Sequence, residues 1–208
     1  MNVQYNKKPY DQRLAYLLVA PLAKAPLHPN HFTTLTLFLG IGAAILFAFF
    51  LQSLAWLAAL IYMLAVFSDH LDGEFARLTG KTSRFGHNFD YIVGGINYTM
   101  LFISIGAGLM PVYGKWTLVL GLAAGLSNPV ILYLRMTMEN RHGAAAVKHP
   151  SRGGFELEDF IYLIGPVTWL AGICWFFVPY ALGNIGYLGW TIFENRKLQN
   201  RDSINPVN

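Results

Sequence analysis

Residues 67–95 read FSDHLDGEFARLTGKTSRFGHNFDYIVGG, and the fold turns on how that stretch is interpreted. It carries Asp69, Asp72, Glu74 and Asp90, four of the chain's eleven acidic residues, between two long apolar runs. A carboxylate flanked by hydrocarbon is costly unless a cation or metal accompanies it, so acids placed there are a functional signal by default. At 3.6 residues per turn Asp69, Asp72, Gly73 and Ala76 share an arc of roughly 100°, with Arg77 on its rim. That face presents two carboxylates, two positions with almost no side chain, and a guanidinium. Asp90 follows one turn after Gly86 on the next apolar run, close enough in sequence to join the first two. Three carboxylates with no cysteine nearby favour a hard cation, magnesium or manganese, over zinc. Such cations in enzymes commonly sit on phosphates.

The composition around this stretch is that of a membrane protein. Of 208 residues 54% are apolar and only 12% charged, and the mean hydropathy is +0.40. A soluble domain carries roughly twice that charged fraction. The basic residues form no long cluster and accompany no nucleic-acid module, so an isoelectric point near 9.2 is better explained by membrane topology than by nucleic acid. The single cysteine, Cys174, lies in an apolar run and excludes an internal disulfide.

Read outward, the pattern predicts an all-α polytopic membrane protein with six transmembrane helices behind an amphipathic interfacial helix. Between Tyr10 and Ala25, Leu14, Leu17, Leu18 and Leu22 share one side, and Pro21 kinks or ends the helix. Pro29-Asn30 introduces the first span, with Asn30 or Thr33 expected as its cap. Spans are expected at about 32–52, 54–77, 86–110, 116–138, 160–180 and 182–193. Pro111 to Gly114 reads as a turn, Asn128-Pro129 as a kink that aims an amide inward, 139–154 as a loop, and 194–208 as a polar tail. The domain division is 1–30 for the tail and interfacial helix, 31–194 for one membrane domain, and 195–208 for a cytoplasmic tail. With six crossings both termini share one side, and of the fifteen Lys and Arg residues all but Lys115 fall on that side. The positive-inside rule then puts the termini and the acidic stretch in the cytoplasm, at an inner membrane.

The run Asp69-x2-Asp72-Gly73-x2-Ala76-Arg77-x8-Gly86-x3-Asp90 resembles the signature of the CDP-alcohol phosphotransferases. These integral membrane enzymes of phospholipid biosynthesis join a CDP-activated group to an alcohol and release CMP. The resemblance implies that Asp69, Asp72 and Asp90 bind Mg2+ or Mn2+. It further implies that Gly73, Ala76 and Gly86 leave room for the nucleotide, and that Arg77, Lys81 and Arg84 hold phosphate oxygens. The partners it implies are a CDP-linked lipid or CDP-alcohol donor, an alcohol or lipid acceptor, and a second copy of the chain in a homodimer. Two positions depart from the family pattern. Gly94 stands where a fourth aspartate is usual, and Thr36 stands where a basic residue often follows the Pro-Asn. Because that aspartate is usually assigned to activating the acceptor hydroxyl, the base is left open among Glu158, Asp159, Glu156, His87, His70 and a metal-bound hydroxide. An acceptor that is already anionic would need none of them.

Three function classes follow. The first is a phosphotransferase with a relocated base. The second is a family relative that binds CDP-lipid or metal without turnover, as a scaffold or regulator. A transporter is the weakest, because the acids gather at one membrane face and do not line a midplane path.

Overall fold

A helix of 51 residues would run for about 75 Å if straight, more than twice the roughly 30 Å of a bilayer's hydrocarbon. Helix α2, Pro29–Thr79, has that length and does not stay straight. Phe50 (φ −126°, ψ 19°) and Leu54 (φ −124°, ψ 16°) leave helical geometry, and the chain turns back there. The two limbs then pack side by side: the Phe32 and Phe75 rings lie 5.3 Å apart, and the Ser68 hydroxyl donates to the Phe32 carbonyl (3.4 Å). The break expected between the first two spans therefore falls where the sequence put it. Its helical start differs. His28, not Asn30 or Thr33, is the cap: its Nδ1 accepts from the Asn30 N–H (3.3 Å), and His31 Nδ1 accepts from the His28 N–H (3.2 Å). Pro29 at the first helical position forfeits no bond that a helix would have made.

The computed structural model describes residues 10–143 and 157–204, with 157–159 and 201–204 by backbone alone. Every regular element among them is helical. Helix α1, Tyr10–Val19, continues into a single turn at Ala20–Leu22 that contains Pro21. It buries Ala15 and Val19 and leaves Leu14, Leu17, Leu18 and Leu22 exposed, the division an interfacial helix requires. Gly80, in the left-handed region at φ +68°, ends α2, and the Ser83 hydroxyl accepts the Gly86 N–H (2.9 Å) to start α3, Arg84–Tyr113. That helix runs through Pro111, where a turn was expected. A proline this close to the end costs one backbone bond, and the reversal waits for Gly114 at φ +93°.

Helix α4, Trp116–His142, crosses α3 closely because glycine faces glycine. A Cβ on Gly121 would come within 2.5 Å of the Phe102 carbonyl oxygen, and one on Gly106 equally close to that of Thr117. Asn128-Pro129 does not interrupt α4. Pro129 cannot donate to the Gly125 carbonyl, and the Thr99 hydroxyl of α3 donates to it instead (3.1 Å). The Asn128 amide donates to the Ala124 carbonyl (3.2 Å), so its role is within the helix. Residues 139–142, expected in a loop, form the last turn before Gly143.

The last third corrects the sequence reading most. A 3-10 helix, Leu157–Leu163, leads into α5, Ile164–Leu170, and after a break at Gly172 (φ +94°) helix α6 runs over Ile173–Ile204. The division thus falls at Gly172, not near residue 181, and residues 194–204 are helix where a polar tail was expected. No charge marks the break within the apolar run, and Pro179, the visible breaker, is carried inside α6. Phe47, Tyr62, Phe102, Ile105 and Phe177 form the buried centre to which α2, α3 and α6 contribute. Helices α2, α3 and α4 are long and apolar enough to cross a membrane. Large side chains such as Phe38, Phe49, Val119 and Trp175 face outward from the bundle. This is an integral membrane protein.

Candidate metal and phosphate site

The second limb of α2 and the start of α3 bring the acids together. Asp69 and Asp72 lie on the second limb of α2, and Asp90 lies on the second turn of α3. One carboxylate oxygen from each lies within 4.8 Å of the other two. Three like charges at that spacing repel by about 3 kcal/mol or more per pair at an effective dielectric of about 20. The cluster therefore wants a cation, and an all-oxygen donor set without sulfur or imidazole suits Mg2+ or Mn2+. Asp72 is the most buried of the three, at 7% exposure, and the Thr33 hydroxyl of the first limb donates to its Oδ2 (2.5 Å). That bond occupies one lone pair and orients the rest of the carboxylate.

Beside the cluster is a cavity of about 250 Å³ lined by Asn30, Thr33, Asp72, Gly73, Ala76, Arg77, Lys81, Gly86, His87 and Asp90, with Pro29, Thr82 and Ser83. It falls just below the usual size of a small-molecule pocket, with room for the charged middle of a nucleotide. Most of the residues singled out from sequence meet here. Arg77 lies back over Gly73, where a Cβ would be 3.3 Å from its guanidinium, and its Nη2 pairs with Glu74 Oε1 at 2.6 Å. Lys81 Nζ donates to the Leu27 carbonyl (2.7 Å), which fixes the ammonium at the rim. His87 Nε2 is 3.9 Å from Glu139 Oε2, and the same oxygen accepts the Tyr91 hydroxyl (2.9 Å).

Other expected residues stand elsewhere. Arg84 is exposed and does not line the cavity. His70 pairs instead with Asp11 of α1 at 2.8 Å. Burial opposes ionisation of Asp11, but the His70 hydrogen bond and charge, with the Gln12 N–H, outweigh it and hold that carboxyl below its usual value. Glu156 lies outside the described residues, as do the side chains of Glu158 and Asp159. Sequence reasoning missed Glu74, buried to 1% exposure, because a glutamate beside a glycine on a helix reads as a solvated residue. It also missed Thr33 and Glu139 as partners of the site, since nothing local in the sequence announces a contact 39 or 48 residues away.

A membrane-embedded helical bundle with three clustered aspartates beside a cationic, glycine-lined cleft is suited to holding a divalent cation and phosphate groups. The family model for CDP-alcohol phosphatidyltransferase matches residues 26–192, and the chain belongs to that family. The family is one of divalent-metal-dependent phosphotransferases of phospholipid synthesis. No curated protein matches the chain.

Proposed function

We propose that this protein transfers a phosphatidyl or phospho-alcohol group from a CDP-linked donor to an alcohol acceptor, releasing CMP, with Mg2+ or Mn2+ held by Asp69, Asp72 and Asp90. The observation that carries this reading is the approach of those three carboxylates to within 4.8 Å of one another, beside a cavity that Arg77 and Lys81 also line. When bound, the divalent ion neutralises the donor's diphosphate and polarises the phosphorus under attack. Arg77, steadied by Glu74, pairs with phosphate oxygens, and Lys81 adds a point charge at the rim. Gly73, Ala76 and Gly86 let the nucleotide approach the backbone.

The acceptor oxygen forms a bond to the phosphorus that carries the lipid or alcohol. The bond from that phosphorus to the CMP oxygen breaks, and CMP leaves with the electron pair. The hydroxyl proton passes to a base, help that is typically worth about 10²–10⁴-fold in rate. With Gly94 unable to serve, His87 is our candidate among the described residues, since it lines the cavity and its Nε2 lies 3.9 Å from Glu139 Oε2. In this reading the chain crosses a cytoplasmic membrane six times, with the site at the inner face.

The test is release of CMP from radiolabelled CDP-diacylglycerol in membranes with Mg2+ or Mn2+, comparing wild type with Asp69→Ala and Asp90→Ala. Metal-dependent release lost in both variants is the expected outcome. Metal-dependent nucleotide binding without CMP release would instead favour the non-catalytic relative, the reading that the loss of a carboxylate at Gly94 supports.

A further inference from the structure

The start of α2 is held by two imidazoles. His28 is its N-cap and His31 its third residue, positions where a capping box ordinarily places serine or threonine and glutamate or glutamine. His28 Nδ1 accepts the Asn30 N–H (3.3 Å), and His31 Nδ1 accepts the His28 N–H (3.2 Å). A hydroxyl or a carboxamide accepts at every ordinary pH, and imidazole does not. A ring nitrogen that accepts carries no proton, so both bonds exist only while the two rings are neutral. Imidazolium has a proton on each nitrogen, and histidine takes up the second between about pH 8 and pH 5. The cap is therefore whole above that window and is lost as pH falls through it.

Nothing beside the rings offsets this loss. Both are exposed, so protons reach them freely, and the macrodipole opposes a cation at a helix N-terminus. Lys24 precedes them in the link from α1, and the Lys81 ammonium lies on the Leu27 carbonyl (2.7 Å), one residue before His28. Arg77, Asp72 and Asp90 share the cleft with this turn. Among the described residues no carboxylate pairs with His28 or His31; the histidines with acidic partners are His70, beside Asp11, and His87, beside Glu139.

The turn these rings hold is part of the cleft. Pro29, Asn30 and Thr33 all line it. Pro29 and Thr33 are buried, and the Thr33 hydroxyl holds Asp72 (2.5 Å). Two exposed rings thus set a buried wall.

We propose that the His28–His31 capping box is a proton-operated switch on the cleft. Neutral imidazoles set the first turn of α2 for the CDP-linked donor, and acidification loosens that turn and weakens donor binding. The proposal takes its ligand from the transferase reading above and its switch from the cap geometry alone. A ligand that needs the ordered turn binds more weakly in proportion as that turn is lost.

The full chain in nanodiscs is tested near the two ends of the window, at about pH 7.5 and pH 5.5. Equilibrium binding of CDP-diacylglycerol is measured with Mn2+ saturating at both, as checked by electron paramagnetic resonance, and amide hydrogen exchange follows residues 30–33. Wild type is expected to bind the donor roughly tenfold more weakly at the lower pH, with amide protection at 30–33 falling in step. The double variant His28→Ser/His31→Gln, a capping box that does not titrate, should match wild type at the higher pH and lose that tenfold change. The uncapped variant His28→Ala/His31→Ala should bind at the higher pH as weakly as acidified wild type. A ratio of the two Kd values that is the same in wild type and the His28→Ser/His31→Gln variant overturns the switch, because the pH dependence then belongs to His87 or the aspartates. Wild-type protection that is indifferent to pH overturns it as well, and so does an uncapped variant that binds like wild type. If wild type binds no donor at the higher pH, the transferase reading falls, while protection lost on acidification in wild type alone still establishes the proton-sensitive turn.

Discussion

Asp90 faces two other carboxylates with oxygens within 4.8 Å, and that single fact sets the sign of a stability experiment. Without metal, Asp90→Asn relieves repulsion worth about 3 kcal/mol or more. The metal-free variant is therefore expected to melt at least about 4 °C above metal-free wild type, and added Mn2+ should raise Tm for wild type only. A variant that melts lower and still responds to Mn2+ would contradict the clustering. Glu74 has the opposite character, a buried acid that serves a cation. Its neutral isostere, Glu74→Gln, weakens a charge-assisted bond to Arg77 of 2.6 Å. It is expected to raise the Kd for CDP-diacylglycerol about tenfold by equilibrium binding, with Mn2+ affinity unmoved. The aspartates were legible in the sequence because helical spacing alone puts Asp69 and Asp72 on one face, whereas Glu74 became visible only through its burial. Thr36 and Gly94 were legible as departures from a pattern; that both line one cavity needed the fold.

At the scale of the helix, the site depends on how closely α3 can approach its neighbours, because α3 alone carries Asp90. The α3–α4 crossing is set by Gly106 and Gly121, whose facing Cα surfaces leave no room for a methyl group. Gly121→Ala would drive a Cβ to within 2.5 Å of the Phe102 carbonyl oxygen, and backbone cannot step aside as a flexible side chain can. A cost of about 1–3 kcal/mol is expected, read as a fall in Tm accompanied by weaker Mn2+ binding as α3 shifts. Gly183→Ala on α6, where a Cβ meets nothing within 4 Å, is the control and should leave both values intact. Element boundaries were legible where polar residues or Gly-Pro signals bracket them, as at Gln52–Leu54 and Gly80–Ser83. They failed at Gly172 and Pro179, because hydrophobic periodicity reports burial and lipid exposure alike, and the left-handed φ of one glycine decides the break. The Thr99 hydroxyl that takes over the Gly125 carbonyl explains why Pro129 does not kink α4; that repair lies on another helix and has no local trace.

For the molecule as a whole, two distributions support the proposed orientation. In the six-crossing reading every Lys and Arg except Lys115 falls on the face that holds the acidic cluster. At the opposite end Trp56, Tyr113, Trp116, Trp169 and Trp175 are all substantially exposed, and the Trp169 indole donates to the Trp56 carbonyl (3.2 Å). Basic residues concentrated at one face orient a bundle, and exposed Trp and Tyr mark where it meets the interface. The shift of the last break to Gly172 strengthens this pattern, since it brings Trp169 and Trp175 to the aromatic end and leaves Arg196 and Lys197 at the basic one. In a Cys174→Ala background, a cysteine in place of Lys115 is expected to react with a membrane-impermeant maleimide added to intact cells. One in place of Arg196 should react only after permeabilisation. Labelling of both positions from outside would overturn the six-crossing topology, and labelling of Arg196 alone would overturn the cytoplasmic site. The acidic cluster would then face a compartment without CDP-linked donors.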